Sequence, residues 1–259
     1  MKERPTLLES ALGDNRLPVI LFGGLLLVVC WAWIASMARD MYGPMTGPSA
    51  WMMTSVWDAR HLFLLWLMWA VMMAAMMLPS AVPLILLYAA VGRRRQETGN
   101  AVTRTYLLAL GYVTVWALFS IGATGLQRFL SAALLLSPMM EPVDTAMSAA
   151  ILIAAGVYQL TPLKRACLTT CQSPLGFLMR HWRPGAQGAF RMGFVSGLYC
   201  LGCCWALMLL LFAGGVMNLL VILALTAFVA LEKLGPFGER GARVSGALLL
   251  LVGVGLLFA

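Results

Sequence analysis

Charged residues are scarce in this chain. Asp, Glu, Lys and Arg make up 11% of its 259 residues, whereas about 25% is usual for a soluble domain. Hydrophobic residues make up 61%, which is more than a soluble fold of this size could bury. The same composition excludes a charged, disordered chain, and six cysteines are too few for a small disulfide-rich scaffold. The sequence therefore predicts an all-α, polytopic integral membrane helical bundle.

Groups that bind hard metal ions or carry protons are also rare. No Asp or Glu lies within the long uncharged stretches, so the carboxylate expected of a proton-coupled pump or a hard-cation pathway is missing. The two histidines, His61 and His181, are predicted on opposite sides of the membrane, too far apart to share a zinc ion or a haem. The sequence contains no phosphate-binding glycine loop and no HExxH pattern. We therefore expect no organic cofactor.

What the chain does contain is a series of apolar stretches. A hydrocarbon core of about 30 Å needs about 17 to 25 apolar residues in a helix. Seven stretches are candidates, and they predict about seven transmembrane helices in a single transmembrane domain over residues 1–259: 17–38, 62–91, 105–126, 145–163, 192–213, 216–231 and 244–259. The last two are the shortest, and whether the seventh fully spans is left open.

The net charge of +8 follows from topology rather than from a nucleic-acid partner. With the N-terminus in the cytoplasm, fifteen of the 18 Lys and Arg residues lie on the cytoplasmic side, as the positive-inside rule requires. The opposite orientation would reverse this bias. The partners predicted are the lipid bilayer and no nucleic acid.

Other features predict how the helices bend and pack. Pro79 and Pro83 should kink the long second span, and Gly193 with Gly197 forms a small-residue face on which another helix could pack. Residues 127–144 are predicted to be an external interfacial segment, and residues 173–190 to contain a cytoplasmic surface helix. Asn218, Tyr158, Gln159 and Thr161 are interpreted as residues that cap or cross-link helices, and Glu232 and Lys233 are placed at the inner rim.

Cysteines are unusually crowded in one part of the chain. Five of the six lie between Cys167 and Cys204. Cys200, Cys203 and Cys204 have the i, i+3, i+4 spacing that places three thiols on one helix face. Inert packing is one interpretation, as for the isolated Cys30. A disulfide within the triplet would require a distorted helix, whereas metal binding would not.

A second cysteine pair lies just after the predicted fourth span. Cys167 and Cys171 follow Lys164 and Arg165, and nearby cations favour the thiolate form that binds metal or attacks disulfides. A structural disulfide is improbable in a reducing cytosol. A CxxxC pair is a weak signal by itself, so an inert surface pair is an equal alternative.

Methionine is the second unusual feature, with 18 residues. Met72, Met73, Met76 and Met77 place four thioethers on one broad face of the second span. Methionine often fills irregular gaps in a packed core, but thioethers together with thiolates are the ligands that Cu(I) prefers. Both sulfur groups are predicted near the centre of the bilayer, although the sequence does not show that their helices touch.

Several motifs resemble one bacterial family. They are the run from Tyr199 to Met208 (YCLGCCWALM), Gly214 to Asn218 (GGVMN), Glu232-Lys233, Met76 to Ser80 with Pro83, and Tyr158 to Lys164 leading to Cys167 and Cys171. This pattern resembles the family of predicted metal-binding integral membrane proteins called domain of unknown function 2182, sometimes labelled copper chaperone. The resemblance implies a multi-pass protein of the bacterial inner membrane and strengthens the metal interpretation.

The first hypothesis is therefore a membrane protein that binds a soft metal, Cu(I) above all, and handles or transfers it rather than acting as an enzyme. A cytosolic or periplasmic metal carrier would be its partner, and oligomer formation is left open. The alternatives are a membrane thiol oxidoreductase and a structural subunit with inert cysteines. The candidate metal ligands are Cys200, Cys203, Cys204, Met72, Met73, Met76, Met77, Met208, Cys167 and Cys171.

Overall fold

The computed structural model describes residues 16–43, 47, 58–94, 101–137, 140, 142–235 and 238–258. In this part of the chain the regular structure is entirely helical, with one isolated β-bridge between Leu136 and Pro142. The helices described are α1 (Arg16–Met41), α2 (Ala59–Arg94), α3 (Ala101–Ala132), α4 (Thr145–Gln159), α5 (Pro162–Gln172), α6 (Pro174–His181), α7 (Gly185–Gly214), α8 (Leu219–Leu234) and α9 (Gly238–Leu256). The all-α prediction is confirmed, while the predicted cytoplasmic N-terminus, residues 1–15, lies outside the described residues.

Four of these helices are long and apolar enough to cross a membrane, namely α1, α2, α3 and α7. The pair α4 and α5 counts as a fifth candidate if its two helices, which meet at an angle of 66°, form one broken span. Helix α8 has 16 residues, and at 1.5 Å per residue it is about 24 Å long, shorter than a hydrocarbon core of about 30 Å. Helix α9 carries Glu239, Arg240 and Arg243 in its first turns. The number of seven spans therefore stays a prediction.

The predicted fourth span, 145–163, is interrupted before its end. Helix α4 ends at Gln159, and the chain turns by 66° before α5 begins at Pro162. Proline fits this first helical position because it lacks the N–H group that would have no helical partner there. The Thr161 hydroxyl caps α5 by accepting from the Lys164 N–H at 3.3 Å. After this bend, α5 packs against α7.

Helix α7 is the central element, with α3, α4, α5 and α8 packed around it. Its contact with α3 is close because glycines face backbone on the other helix. A Cβ at Gly193 would lie 1.9 Å from the Leu108 carbonyl oxygen, and one at Gly197 would lie 2.8 Å from a Val115 methyl group. The predicted small-residue packing face is confirmed.

One other segment differs from its prediction, and a second contains the predicted helix with one face buried. Helix α3 extends to Ala132, so Gln127 is not in an interfacial segment but is buried, where its side-chain oxygen accepts from the Trp69 indole N–H at 2.7 Å. Helix α6 lies within the predicted surface segment 173–190, yet Phe177 and Leu178 are buried. Helix α2 is continuous through its two prolines, and the kink stays a prediction.

The polar residues interpreted as caps and cross-links have those roles. Asn218 caps α8 by accepting from the Leu220 N–H at 3.1 Å. The Gln159 amide donates to the Ser245 hydroxyl at 2.9 Å and links α4 to α9. The hydrogen-bonding interpretation of these side chains is therefore confirmed.

Candidate metal centre

The cysteine triplet lies in the middle of α7 and is buried. Cys200, Cys203 and Cys204 are 2%, 1% and 0% exposed. The Cys203 and Cys204 sulfurs are 3.3 Å apart, and the Cys203 thiol also contacts the Cys200 carbonyl oxygen at 3.2 Å. The thiols therefore face the bundle interior.

The second cysteine pair meets the triplet. The Cys171 sulfur on α5 lies 3.9 Å from the Cys203 sulfur on α7. Cys171, Cys203 and Cys204 are referred to below as the thiol cluster. In the sequence, the pair Cys167 and Cys171 is separate from the triplet in the middle of the fifth span. The bend between α4 and α5 brings Cys171 into contact with that triplet.

Gly202 lets the bent pair approach α7. A Cβ at this position would lie 2.7 Å from the Cys167 sulfur, so the missing side chain leaves room for that thiol. The Tyr158 hydroxyl donates to the Gly202 carbonyl oxygen from α4. Both contacts hold α4 and α5 against the turn of α7 that carries Cys203.

Cys200 has different partners from the thiol cluster. The Lys233 ammonium contacts its sulfur at 2.7 Å, and the Tyr112 hydroxyl contacts it at 2.9 Å. Lys233 also donates to the Ser80 hydroxyl at 3.3 Å, while Tyr112 contacts the Met77 carbonyl oxygen at 3.1 Å. Cys200 is therefore the point where α2, α3, α7 and α8 converge.

The charges at this site are not the ones that the sequence suggests. Lys164 is fully buried and pairs with Glu232 at 2.8 Å, and Arg165 pairs with Glu239 at 2.8 Å. The sequence predicts that Lys164 and Arg165 favour the thiolate forms of Cys167 and Cys171. In the structure both cations pair with carboxylates instead. The cation that contacts a thiol is Lys233, which lies beside Cys200. Glu232 and Lys233 are 2% and 5% exposed, so both are buried in the bundle, and their position at the inner rim of the membrane stays a prediction.

Two cavities adjoin these residues. The smaller, of about 30 Å³, is lined by Cys171, Cys200, Lys233, Tyr112 and Ser80, among others. The larger, of about 520 Å³, is more open and is lined by Lys233, Arg240 and Arg243, among others. Lys233 lines both cavities.

The comparison with known protein families identifies the family of this chain. The family model described as PpoB2, copper chaperone, matches residues 66–256. The chain belongs to this copper chaperone family. No curated protein matches the chain, and no solved structure does. The family's matched region contains α3 to α9 entirely, and it contains all the cysteines of the site.

Whether the sulfurs of this copper chaperone family member fit a metal can be judged from their spacing. Two thiolates that share one metal ion through bonds of about 2.3 Å lie about 3.8 Å apart at a tetrahedral angle. The Cys171 and Cys203 sulfurs, at 3.9 Å, have this separation. Within the described ranges, no three His, Cys, Asp or Glu side chains form a group that could hold a metal ion. The separation of these two sulfurs therefore matches two thiolates that share one metal ion.

The methionine candidates are all buried. Met72, Met73, Met76, Met77 and Met208 are at most 1% exposed. Hydrogen bonds join α2 to the site through the Met77 carbonyl oxygen and the Ser80 hydroxyl. A ligand role for the thioethers stays a prediction.

Sequence reasoning did not identify Lys233 or Tyr112 as site residues. Glu232-Lys233 is part of the motif that resembles the family, and this was a signal for Lys233. Tyr112 gives no such signal, because a single tyrosine in an apolar helix is ordinarily a packing residue with one hydrogen bond.

Proposed function

We propose that this protein is a multi-pass membrane protein that binds Cu(I) through its clustered cysteines and transfers it to a metal carrier. Membership of the copper chaperone family supports the metal, and four or five apolar helices support the membrane location. The positive-inside bias favours a cytoplasmic N-terminus in a bacterial inner membrane.

The observation that carries the proposal is the contact between the Cys171 and Cys203 sulfurs at 3.9 Å. These residues lie on different helices, so their approach depends on the tertiary fold and not on local spacing. Thiolates are soft ligands that favour Cu(I). Binding of the metal displaces the thiol protons, so an uncompensated thiolate need not be held in the apolar interior beforehand.

The cysteine sulfurs of the site form a partly exposed group and a buried group. Cys167 and Cys171 on α5 are partly exposed, whereas Cys200, Cys203 and Cys204 are buried. A carrier with thiol ligands would exchange the metal at Cys171, and Cys203 would hold it inside. This arrangement describes a protein that passes on a metal, which requires no enzymatic reaction.

The proposal predicts that copper binding depends on sulfurs from both helices. Replacing Cys171 and Cys203 together by serine should abolish tight Cu(I) binding, because both thiolates of the interhelical pair are lost. Copper content and competition with a Cu(I) chelator, measured on detergent-purified protein, test this. Cys30→Ser is the matched control, since Cys30 is buried on α1 away from the cluster, and it should bind copper as the wild type does.

Full copper retention by Cys171→Ser/Cys203→Ser would contradict the proposal. Counting alkylated thiols by mass in oxidising and reducing buffers would then separate the alternatives. A change with redox buffer supports a thiol oxidoreductase, and no change supports a structural subunit.

The methionines of α2 are proposed as auxiliary ligands, and their effect should be smaller. Replacing Met76 and Met77 by leucine keeps the apolar volume and removes two neutral thioethers, so Cu(I) affinity should fall by about tenfold. The same chelator competition measures this change. Met179→Leu is the control because Met179 is 77% exposed. Unchanged affinity in the double variant would assign these methionines to packing alone.

A further inference from the structure

Lys233 is a buried cation whose polar contacts point toward the thiols. Its side chain is on α8, and its ammonium lies 2.7 Å from the Cys200 sulfur and 3.3 Å from the Ser80 hydroxyl. The neighbouring carboxylate, Glu232, is hydrogen-bonded to Lys164. The charge of Lys164 is thus matched by a carboxylate, whereas the charge of Lys233 faces sulfur.

Burying an ammonium without a carboxylate is unfavourable, and an apolar side chain of similar size would fill the same space at lower cost. Packing alone therefore does not account for a lysine here. Its position adds a second reason to assign it a role, because Lys233 lines both the small cavity beside Cys171 and Cys200 and the larger, more open cavity.

We propose that Lys233 makes the site selective for monovalent soft cations over divalent ones. The inference rests on the proposed metal-binding function and specifies the class of ion that it accepts. A fixed positive charge repels a bound ion in proportion to the charge of that ion, so a divalent ion is penalised twice as much as a monovalent one at the same position. The attraction between Lys233 and the thiolates is the same for both ions and cancels in the comparison.

The test compares two thiophilic ions, Ag(I) and Cd(II), on the purified full chain. Competition with chelators gives the affinity for each ion, and the ratio compared is the Ag(I) affinity divided by the Cd(II) affinity. This ratio should fall by at least about tenfold in Lys233→Gln, because the extra repulsion of the divalent ion is removed. Lys233→Arg keeps the charge and should keep the ratio. A parallel loss of both affinities in Lys233→Gln, with the ratio unchanged, would overturn the inference.

A second pair of variants leaves the lysine in place. Ser80 lies 3.3 Å from the Lys233 ammonium, so a carboxylate in Ser80→Asp would neutralise it, whereas the amide in Ser80→Asn would not. The affinity ratio should fall in the first variant and stay near the wild-type value in the second. An equal ratio in Asp and Asn variants would contradict the selectivity role even if Lys233→Gln did not fold. Wild-type protein that binds neither ion would instead refute the proposed function.

Discussion

Glu232→Gln should lower the free energy of unfolding by about 3 to 5 kcal/mol. Glu232 and Lys164 form an ion pair at 2.8 Å with side chains 1% and 0% exposed. Removing the carboxylate charge leaves a buried ammonium without its counter-ion, which is far less favourable than losing an exposed ion pair. The measurement is a denaturant titration of the detergent-solubilised protein.

The next residue along α5 supplies a matched control. Arg165 pairs with Glu239 at the same distance of 2.8 Å, but these side chains are 47% and 40% exposed. Arg165→Met should cost less than about 1 kcal/mol because solvent screens the pair. Replacing Lys164 by methionine and Glu232 by leucine together should restore most of the stability, since no buried charge is then left unpaired. Similar losses for Glu232→Gln and Arg165→Met would contradict this account.

The buried pair also shows where sequence reasoning reaches its limit. Lys164 and Lys233 each lie next to an apolar run, and a charge in that position is ordinarily interpreted as a loop residue at the membrane surface. Their actual partners are set by how α5, α7 and α8 pack, which hydrophobic periodicity does not encode. Counting basic residues loop by loop therefore predicts the orientation of the protein in the membrane. The same count places Lys164 and Lys233 in surface loops, although both are buried.

Local spacing, by contrast, predicted what depends on a single helix. The i, i+3, i+4 pattern of Cys200, Cys203 and Cys204 predicted three thiols on one face of the helix, and the structure shows that this face of α7 is buried. The contact between Cys171 and Cys203 was not predictable from spacing, because it requires the 66° turn between α4 and α5. Pro162 lies inside the predicted span 145–163, and no local signal gives the direction in which the chain turns.

The small-residue face of α7 leads to the second large effect, which concerns Gly111 on α3. A Cβ at Gly111 would lie 2.2 Å from the Phe190 carbonyl oxygen and 2.8 Å from the Phe194 nitrogen. These are backbone atoms of α7, so no side-chain rotation relieves the clash and the two helices must separate. Gly111→Ala should therefore destabilise the protein by about 3 kcal/mol or more.

Gly122→Ala is the control on the same helix, because nothing lies within 4 Å of a Cβ at that position. That change should leave stability unchanged or raise it by about 0.5 to 1 kcal/mol, since alanine is the better helix former. The effect of Gly111→Ala should extend to the metal site, because the next residue, Tyr112, contacts the Cys200 sulfur at 2.9 Å. Cu(I) affinity should fall in Gly111→Ala and not in Gly122→Ala. Equal stability of the two variants in the denaturant titration would show that the contact between α3 and α7 is looser than the structure indicates.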